Sequence, residues 1–294
     1  MIKNKTSKDQ IASGWINGFI GVLLFSGSMP ATKLAVMEMS PIFVTIARAV
    51  IAGILALSVL VLYNEKRPEK EQFFSLVLVA VGCVIGFPLL SSLALQYVSS
   101  AHSIVFLGML PLATAIFGVF RGGEKPHPVF WLFSVAGSFL VIGYAFAQGI
   151  SASPIGDVLM LLAVALCGLG YAEGAKLSKT LGGWQVISWA LIISLPAMLP
   201  LFFIYFPDDL KIISFKGWFG LGYISLFSMF IGFIFWYKGL AQGGITSVGQ
   251  LQLLQPFFGL ALAAYLLHEQ VSFGMLGVTI GVILCVAGTK KFAK

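Results

Sequence analysis

Charged residues are scarce in this chain, at 10% of its 294 residues, whereas a soluble domain carries about 25%. Histidine and cysteine occur only three times each. Cys83, Cys167 and Cys285 are dispersed through apolar stretches, so they offer neither a disulfide framework nor the spacing of a metal site. These absences exclude a water-soluble domain with a polar surface, and we expect no cofactor and no metal.

Long apolar runs take the place of the missing charge. Hydrophobic residues make up 59% of the chain and the mean hydropathy is +0.97. A membrane-spanning helix needs about 20 apolar residues, and the sequence contains ten such runs without the two-residue alternation of a transmembrane barrel. The predicted spans 1 to 10 are residues 14–36, 42–62, 73–96, 99–120, 128–147, 155–176, 184–206, 216–238, 244–267 and 272–289. The sequence therefore predicts an all-α integral membrane protein embedded in the lipid bilayer.

The sequence matches itself after a shift of 143–145 residues. The stretch 27–34 aligns with 170–177, and Pro111 aligns with Pro256. Because each repeat holds five spans, an odd number, the second must enter the membrane with the opposite polarity. Inverted repeats are typical of secondary transporters, whose solute site lies near the midplane between the halves. The predicted repeats are residues 14–147 and 155–289.

Positive charge is distributed unevenly between the two ends of the predicted spans. Of the 18 Lys and Arg residues, 14 lie at the termini or in the loops of one side. Lysine and arginine in short loops mark the cytoplasmic side. We therefore predict that both termini are cytoplasmic and that the protein lies in the inner (plasma) membrane. The net charge of +7 is thereby explained without a nucleic-acid partner.

Several residues occur in an order that is typical of one family. They are Pro30-Ala31-Thr32-Lys33 in span 1, Ser40-Pro41 and Arg48 at span 2, Pro111 and Pro256 within spans 4 and 9, and Glu124 and Glu269 after those spans. Together with the repeat, this order resembles the ten-helix EamA-type branch of the drug/metabolite transporter superfamily over nearly the whole chain. One departure is Phe25, where many members have tryptophan.

The resemblance implies a secondary transporter that moves a small organic metabolite by alternating access. Most directly it implies an exporter of amino acids or related amphipathic solutes. An uptake permease for a choline-like or sugar-like solute, or a drug efflux pump, is the alternative within the same fold. Coupling to protons or a counter-solute, and a monomer or a homodimer, stay open. The sequence shows no His–carboxylate cluster at membrane depth, which argues against an enzyme.

Span 9 carries the polar residues that point most directly to a solute site. Gln255 lies near mid-bilayer and precedes Pro256, which removes a backbone hydrogen bond. Such an opening is tolerated in a membrane where it faces protein or a watery cavity. Gln252 shares the face of Gln255 at a spacing of three. We predict that both amides contact the solute, with interhelical hydrogen bonding as the alternative.

Further candidates for the solute site lie in spans 1, 2, 3 and 6. Arg48 is placed to hold a substrate carboxylate, unless it snorkels to the outer headgroups or bonds to carbonyls. Ser91 and Ser92 follow Pro88, and this sequence predicts either a hydroxyl-lined pathway wall or simple packing. The aromatic residues predicted to line an apolar cavity are Phe25, Phe87 and Tyr171.

Gating or coupling is predicted for a second set of residues. Lys33 and Lys176 occupy matching positions at opposite mouths, where they form gates or only anchors. Glu173 is the one carboxylate in the apolar stretch of span 6, and it either pairs with Lys176, takes up a proton or binds a cation. Pro111 and Pro256 mark the midplane about which the repeats would rock. Glu124 and Glu269 are predicted to cap helix starts.

Overall fold

The computed structural model describes residues 7–98, 100–147, 153–267 and 273–292. Within these ranges all spans are helical, and they follow one another in ten units. Spans 1 to 5 are Ser7–Ser26 with Ser28–Val36; Pro41–Leu62; Lys70–Val79, Ala80–Gly86 and Phe87–Tyr97; Ser100–Leu107 with Leu110–Gly122; and Pro128–Ala147. Spans 6 to 10 are Pro154–Ser178; Gly183–Ile204; Phe215–Tyr223, Ile224–Ile231 and Gly232–Gly243; Ile245–Gly249, Gln250–Leu254 and Gln255–Leu267; and Phe273–Phe292.

Six of the described helices are long and apolar enough to cross a bilayer, those of spans 1, 2, 3, 6, 7 and 8. Leu110–Gly122 and Pro128–Tyr144 are shorter apolar helices. The ten predicted spans are confirmed as helices, although several, most of all spans 1 and 8, are longer than the sequence predicted. Helices suit this composition because lipid cannot satisfy backbone N–H and C=O groups, which a helix pairs within itself.

Local sequence sets where spans 2 and 6 begin. The Ser40 side chain accepts a hydrogen bond from the Phe43 amide, and Pro41 occupies the first helical position. Ser153 and Pro154 repeat the arrangement at the start of span 6. A serine cap satisfies a free N–H group, while proline at the first position has no N–H that needs a partner.

Five spans depart from a continuous α-helix: span 1 is interrupted at Gly27, and the other four form two pairs related by the repeat. Spans 3 and 8 each contain a π-helical segment, Ala80–Gly86 and Ile224–Ile231, whose first residues are separated by the repeat distance. Span 4 is interrupted before Leu110, and span 9 contains a 3-10 segment that ends before Gln255. Prolines explain the changes in spans 3, 4 and 9, because each lacks an N–H group and crowds the preceding turn. Span 8 has no proline at its π-helical segment.

Spans 1 and 8 approach each other through glycine. A Cβ atom on Gly239 would lie 2.5 Å from the Gly18 amide nitrogen, and one on Gly14 would lie 2.5 Å from that of Gly243. Small residues allow membrane helices to pack backbone against backbone. This crossing joins the first predicted repeat to the second. The end of the bundle where span 1 begins and span 8 ends is called face A, and the other end face B.

A carboxylate connects the same two spans at face B, where the loop after span 1 meets the loop before span 8. Glu38 accepts hydrogen bonds from the Ser214 amide at 2.5 Å and from the Ser214 hydroxyl at 2.6 Å. The hydroxyl bond, followed by the amide bond, lowers the pKa of Glu38 from its ordinary value of 4.5. The connection therefore depends on an ionised carboxylate.

Replacing Glu38 with glutamine is expected to lower the melting temperature slightly at about pH 7 and by a smaller amount at about pH 3. Because folding lowers this pKa, the ionised group contributes stability above its unfolded pKa, and that contribution is lost as the pH falls through the folded value. Thermal unfolding of detergent-solubilised protein at both pH values measures the difference, with Glu65→Gln as the control. An equal loss at both pH values would contradict the assignment.

Candidate functional site

A small cavity lies at the depth of the helix breaks. It offers about 20 Å³ to a water-sized sphere, which is room for about one water molecule. Its lining residues come from both predicted repeats: Phe25, Ser28, Met29, Arg48, Cys83, Phe87, Leu110, Tyr171, Ser228, Phe233 and Gln255. All of these except Phe87 are buried, so the cavity lies in the protein interior and must widen to admit an organic solute.

Corresponding positions of the two repeats face one another across this cavity. Ser28 and Tyr171 are separated by the repeat distance, as are Leu110 and Gln255. Neither Ser28 nor Leu110 was predicted to line a site, although the repeat alignment pairs each with a predicted residue. The repeat is therefore a signal that could have found them. The chemistry of each pair differs, so the cavity is asymmetric in polarity.

Arg48 is buried at 3% exposure, so the alternative that it snorkels to the headgroups is wrong. Its Nη2 donates to the Ser228 hydroxyl at 3.2 Å and, more weakly, to the Ile224 carbonyl at 3.5 Å. Both acceptors belong to the π-helical segment of span 8. Ser28 also donates to the Ser228 hydroxyl, at 2.7 Å. Among the described residues, Arg48 Nε finds no hydrogen-bond partner.

Gln255 lines the cavity, and the other two glutamines of span 9 do not. Its Nε2 donates to the Phe25 carbonyl at 3.4 Å, while its Oε1 finds no partner in the described part of the chain. Gln250 Nε2 donates to the Pro111 carbonyl at 3.4 Å. This hydrogen bond connects span 9 of the second repeat to span 4 of the first. Gln252 is fully buried beside Tyr171 and is not among the lining residues.

Aromatic rings lie between the cavity and face A. Phe25 is 5.1 Å from Phe233 and 6.1 Å from Trp236, measured between ring centroids. Tyr171 contacts Phe25 and Trp236, and Phe233 contacts Tyr237. The separations are those of favourable edge-to-face and offset contacts. We call these five residues the aromatic cluster; in this conformation it separates the cavity from face A.

A buried carboxylate lies beyond the aromatic cluster on the same side. Glu173 is 0% exposed and accepts from Arg121 Nε at 2.7 Å and from the Ser75 hydroxyl at 2.5 Å. The suggested pairing of Glu173 with Lys176 is wrong, because the Lys176 side chain is exposed and Arg121 is the partner in the salt bridge. Spans 3, 4 and 6 are thus joined at face A.

Other predicted residues lie away from the cavity. Ser91 donates to the Pro88 carbonyl at 3.2 Å within its own helix, and Ser92 is buried; neither lines the cavity. The structure does not support a hydroxyl-lined wall there, because both side chains face the packed bundle.

Lys33 does not extend freely to the surface. Its ammonium group donates to the Leu95 carbonyl at 2.8 Å, and so provides a hydrogen-bond partner for a carbonyl in the last turn of span 3. Pro256 follows Gln255 at the start of the last helix of span 9.

Glu124 caps a helix, but in the opposite repeat. Its carboxylate accepts from the Ile245 amide and the Thr246 amide, each at 2.7 Å. These N–H groups open span 9, where the helix dipole favours a negative charge. Glu269, the matching residue, lies outside the described residues. Within the described ranges, His, Cys, Asp and Glu side chains form no group of three or more that could hold a metal ion.

Ten helical spans around a buried cavity, in which Arg48 Nε and Gln255 Oε1 have no partner among the described residues, fit a multi-pass membrane transporter. Comparison with known proteins agrees: the model of the EamA-like transporter family matches twice, over residues 12–146 and 154–290. The chain belongs to the EamA-like transporter family, within the drug/metabolite transporter superfamily. It is a transporter of a small molecule and not an enzyme.

Individual relatives extend the comparison. The chain is 61% identical over 291 residues to the uncharacterized transporter YdeK of Bacillus subtilis (strain 168), covering 99% of this chain and 100% of that protein. An uncharacterized transporter of Archaeoglobus fulgidus is 23% identical over 272 residues, which is 91% of this chain and 92% of the relative. One solved crystal structure superposes with a TM-score of 0.75 at 17% identity, covering 94% of this chain and 98% of that one. That likeness shows the shared fold.

Proposed function

We propose that the protein exports a small amphipathic metabolite, such as an amino acid, by alternating access between two inverted five-span repeats, residues 14–147 and 155–289. The observation that carries this proposal is the cavity itself. It is built from both repeats at the depth where five spans depart from a continuous α-helix. Irregular backbone at membrane depth is tolerated where it is buried in protein or lines a water-filled cavity, and transporters place their sites there.

The arrangement supports a particular conformational state. The aromatic cluster and the Arg121–Glu173 pair lie between the cavity and face A. The distribution of Lys and Arg in the loops supports a cytoplasmic face A and the plasma membrane as the location. We therefore assign this conformation as closed to the cytoplasm. Pro111 and Pro256, beside the cavity residues Leu110 and Gln255, lie where the repeats would rock.

A choline-like substrate is the weaker candidate. Aromatic rings would suit a quaternary ammonium group, but the Arg48 guanidinium lies against the same cavity. A second positive charge placed there would be repelled in a medium of low dielectric constant. An amphipathic solute with a polar end and an apolar body fits this lining better.

Solute flux into proteoliposomes tests the proposal, using aromatic and aliphatic amino acids, choline and lipophilic cations. Saturable flux of amino acids is expected, and Gln255→Ala is expected to raise the half-saturating concentration about tenfold, since a hydrogen bond lost from a buried site costs about 1.4 kcal/mol. Gln96→Ala, on an exposed glutamine, is the matched control. Flux of cations alone would reject amino acid export, and unaltered amino acid flux in Gln255→Ala would move the site elsewhere.

A further inference from the structure

Arg48 is a buried cation whose neighbours do not neutralise it. Its guanidinium donates to the hydroxyl of Ser228 and the carbonyl of Ile224, which are both uncharged. Among the described residues no carboxylate forms a salt bridge with it. Buried charges in proteins are ordinarily paired, because an isolated one costs several kcal/mol to desolvate. Glu173, the buried carboxylate of span 6, is already held by Arg121 and Ser75.

We propose that Arg48, Ser228 and Ser28 form an anion subsite that takes the carboxylate of the solute. This inference rests on the proposed transport function and deepens it by naming the recognised group. The solute supplies the counter-charge that the protein lacks at Arg48. Transport of solutes bearing this group therefore depends on a residue that belongs to one repeat only, since position 192 in the second repeat is isoleucine.

The hydrogen-bond pattern leaves donors available for an anion. Arg48 Nη2 is occupied by Ser228 and Ile224, and these bonds fix the guanidinium plane, whereas Nε–H is free within the described chain. The Ser228 hydroxyl oxygen already accepts from Ser28 at 2.7 Å and from Arg48 at 3.2 Å. Its own proton is therefore available as a donor. A carboxylate that accepts from Arg48 and Ser228 would gain charge-assisted bonds in a site shielded from water.

The other residues that line the cavity determine which kind of molecule can carry the bound carboxylate. Phe25, Phe87 and Phe233 offer an apolar lining, so a small inorganic anion would leave this surface without a partner. Gln255 Oε1 is an acceptor without a partner in the described residues, and its side chain is 6% exposed. It would accept from an N–H or O–H group of the solute. The recognised solute is therefore an organic carboxylate with an apolar body.

Three compounds of one shape and different charge test the subsite: phenylacetate, phenylacetamide and phenethylammonium, with inorganic phosphate as the small-anion arm. Apparent affinities come from the thermal stabilisation of the full-length protein in detergent. We expect phenylacetate to bind at least about tenfold more tightly than the other two, because hydrogen bonds to charged groups are the stronger ones. Equal stabilisation by all three, or stabilisation by phenethylammonium alone, would overturn the proposal. Stabilisation by phosphate as strong as that by phenylacetate would overturn the requirement for an apolar body.

Two variants assign the effect to the subsite. Arg48→Gln is expected to abolish the preference for phenylacetate over phenylacetamide while the ligand-free protein melts no lower than wild type, since a buried cation without a counter-charge contributes little to folding. Ser228→Ala keeps the cation and is expected to weaken phenylacetate binding about fivefold. If Arg48→Gln fails to fold, the Ser228→Ala measurement decides. An unchanged preference in Ser228→Ala would then reject the subsite.

Flux measurements separate this inference from the transport proposal. Wild-type flux of neutral or cationic solutes without flux of any carboxylate would reject the anion subsite and leave the transporter intact. Carboxylate flux in the wild type that Arg48→Gln eliminates is the expected result, and carboxylate flux that Arg48→Gln leaves unaltered would reject the subsite. An absence of saturable flux for all solute classes would reject the proposed function, and phenylacetate binding to the purified protein would still report on the subsite.

Discussion

Replacing Gly239 with leucine is expected to prevent the protein from folding in the membrane. A Cβ atom at this position would meet the Gly18 amide nitrogen at 2.5 Å, the Gly18 Cα at 2.8 Å and the Gly14 carbonyl at 3.0 Å. All three contacts are with backbone atoms, so no side chain can rotate out of the way. Spans 1 and 8 would have to separate along the crossing that joins the repeats.

The expected cost is large relative to the stability of a protein. Overpacking where side chains can adjust costs about 1–3 kcal/mol, and a backbone clash should exceed the upper value. Total stabilities are about 5–15 kcal/mol. Size-exclusion chromatography of detergent-extracted protein, followed by thermal unfolding, measures the effect as a lost monodisperse peak or a strongly lowered melting temperature.

Gly222 supplies the matched control on the same span. A Cβ atom there meets nothing within 4 Å, and leucine is the better helix former by about 1 kcal/mol. Gly222→Leu should therefore give folded protein with an unchanged or higher melting temperature. Gly239→Leu protein that folds and melts like the wild type would show that spans 1 and 8 are not packed as described.

Replacing Arg121 with alanine is expected to open the protein at face A. The change leaves the Glu173 carboxylate, 0% exposed, with Ser75 as its remaining partner. Removing one partner of a fully buried pair costs about 3–5 kcal/mol, but the Arg121 side chain is 37% exposed, and exposed pairs contribute about 1 kcal/mol or less. An intermediate cost of about 1–2 kcal/mol follows, which corresponds to a shift in populations of about 5–30-fold.

The native thiol of Cys83 reports this opening. It lines the cavity and is buried, so a small methanethiosulfonate reagent reaches it only when the cavity opens. In a background in which Cys167 and Cys285 are serine, Arg121→Ala should raise the labelling rate about 5–30-fold.

Two further variants complete this experiment. Lys176→Ala, which removes an exposed charge from the same helix as Glu173, should leave the labelling rate of Cys83 unchanged. Combining Glu173→Gln with Arg121→Ala should restore slow labelling, because no buried charge is then left unpaired. A folded Arg121→Ala protein with unchanged labelling would reject a role for the pair in closing face A.

Most of the span architecture could be predicted from local sequence. Apolar runs of about 20 residues identify membrane helices because lipid offers no hydrogen bonds to an irregular backbone. The breaks in spans 4 and 9 were predictable from Pro111 and Pro256, since proline interrupts a helix wherever it occurs. The π-helical segment Ile224–Ile231 was not, because its sequence contains no residue that forces that geometry. The one available signal was the repeat, which aligns this segment with Ala80–Gly86 in span 3.

The candidate site was predicted in part. Arg48, Phe25, Phe87, Tyr171 and Gln255 are among the residues that line the cavity, and their contact with a solute stays a prediction. Arg48 and Gln255 drew attention because polar groups within a membrane span are costly. Two serines of the proposed subsite were missed. Serine is common in membrane helices and usually bonds to its own backbone, so its type and depth carry little information.

The sequence by itself determined that this chain is a helical membrane protein of two related halves, because hydropathy, charge distribution and proline act locally along the chain. Only the tertiary structure decided which polar groups meet. Arg121 and Glu173 are 52 residues apart, and Arg48 and Ser228 are 180 apart. Contacts of that separation depend on how helices rotate and cross, and close approaches at small residues, such as Gly239 against Gly18, are part of that packing. For that reason, local spacing pointed to Lys176 as the partner of Glu173, and the packed bundle provided Arg121.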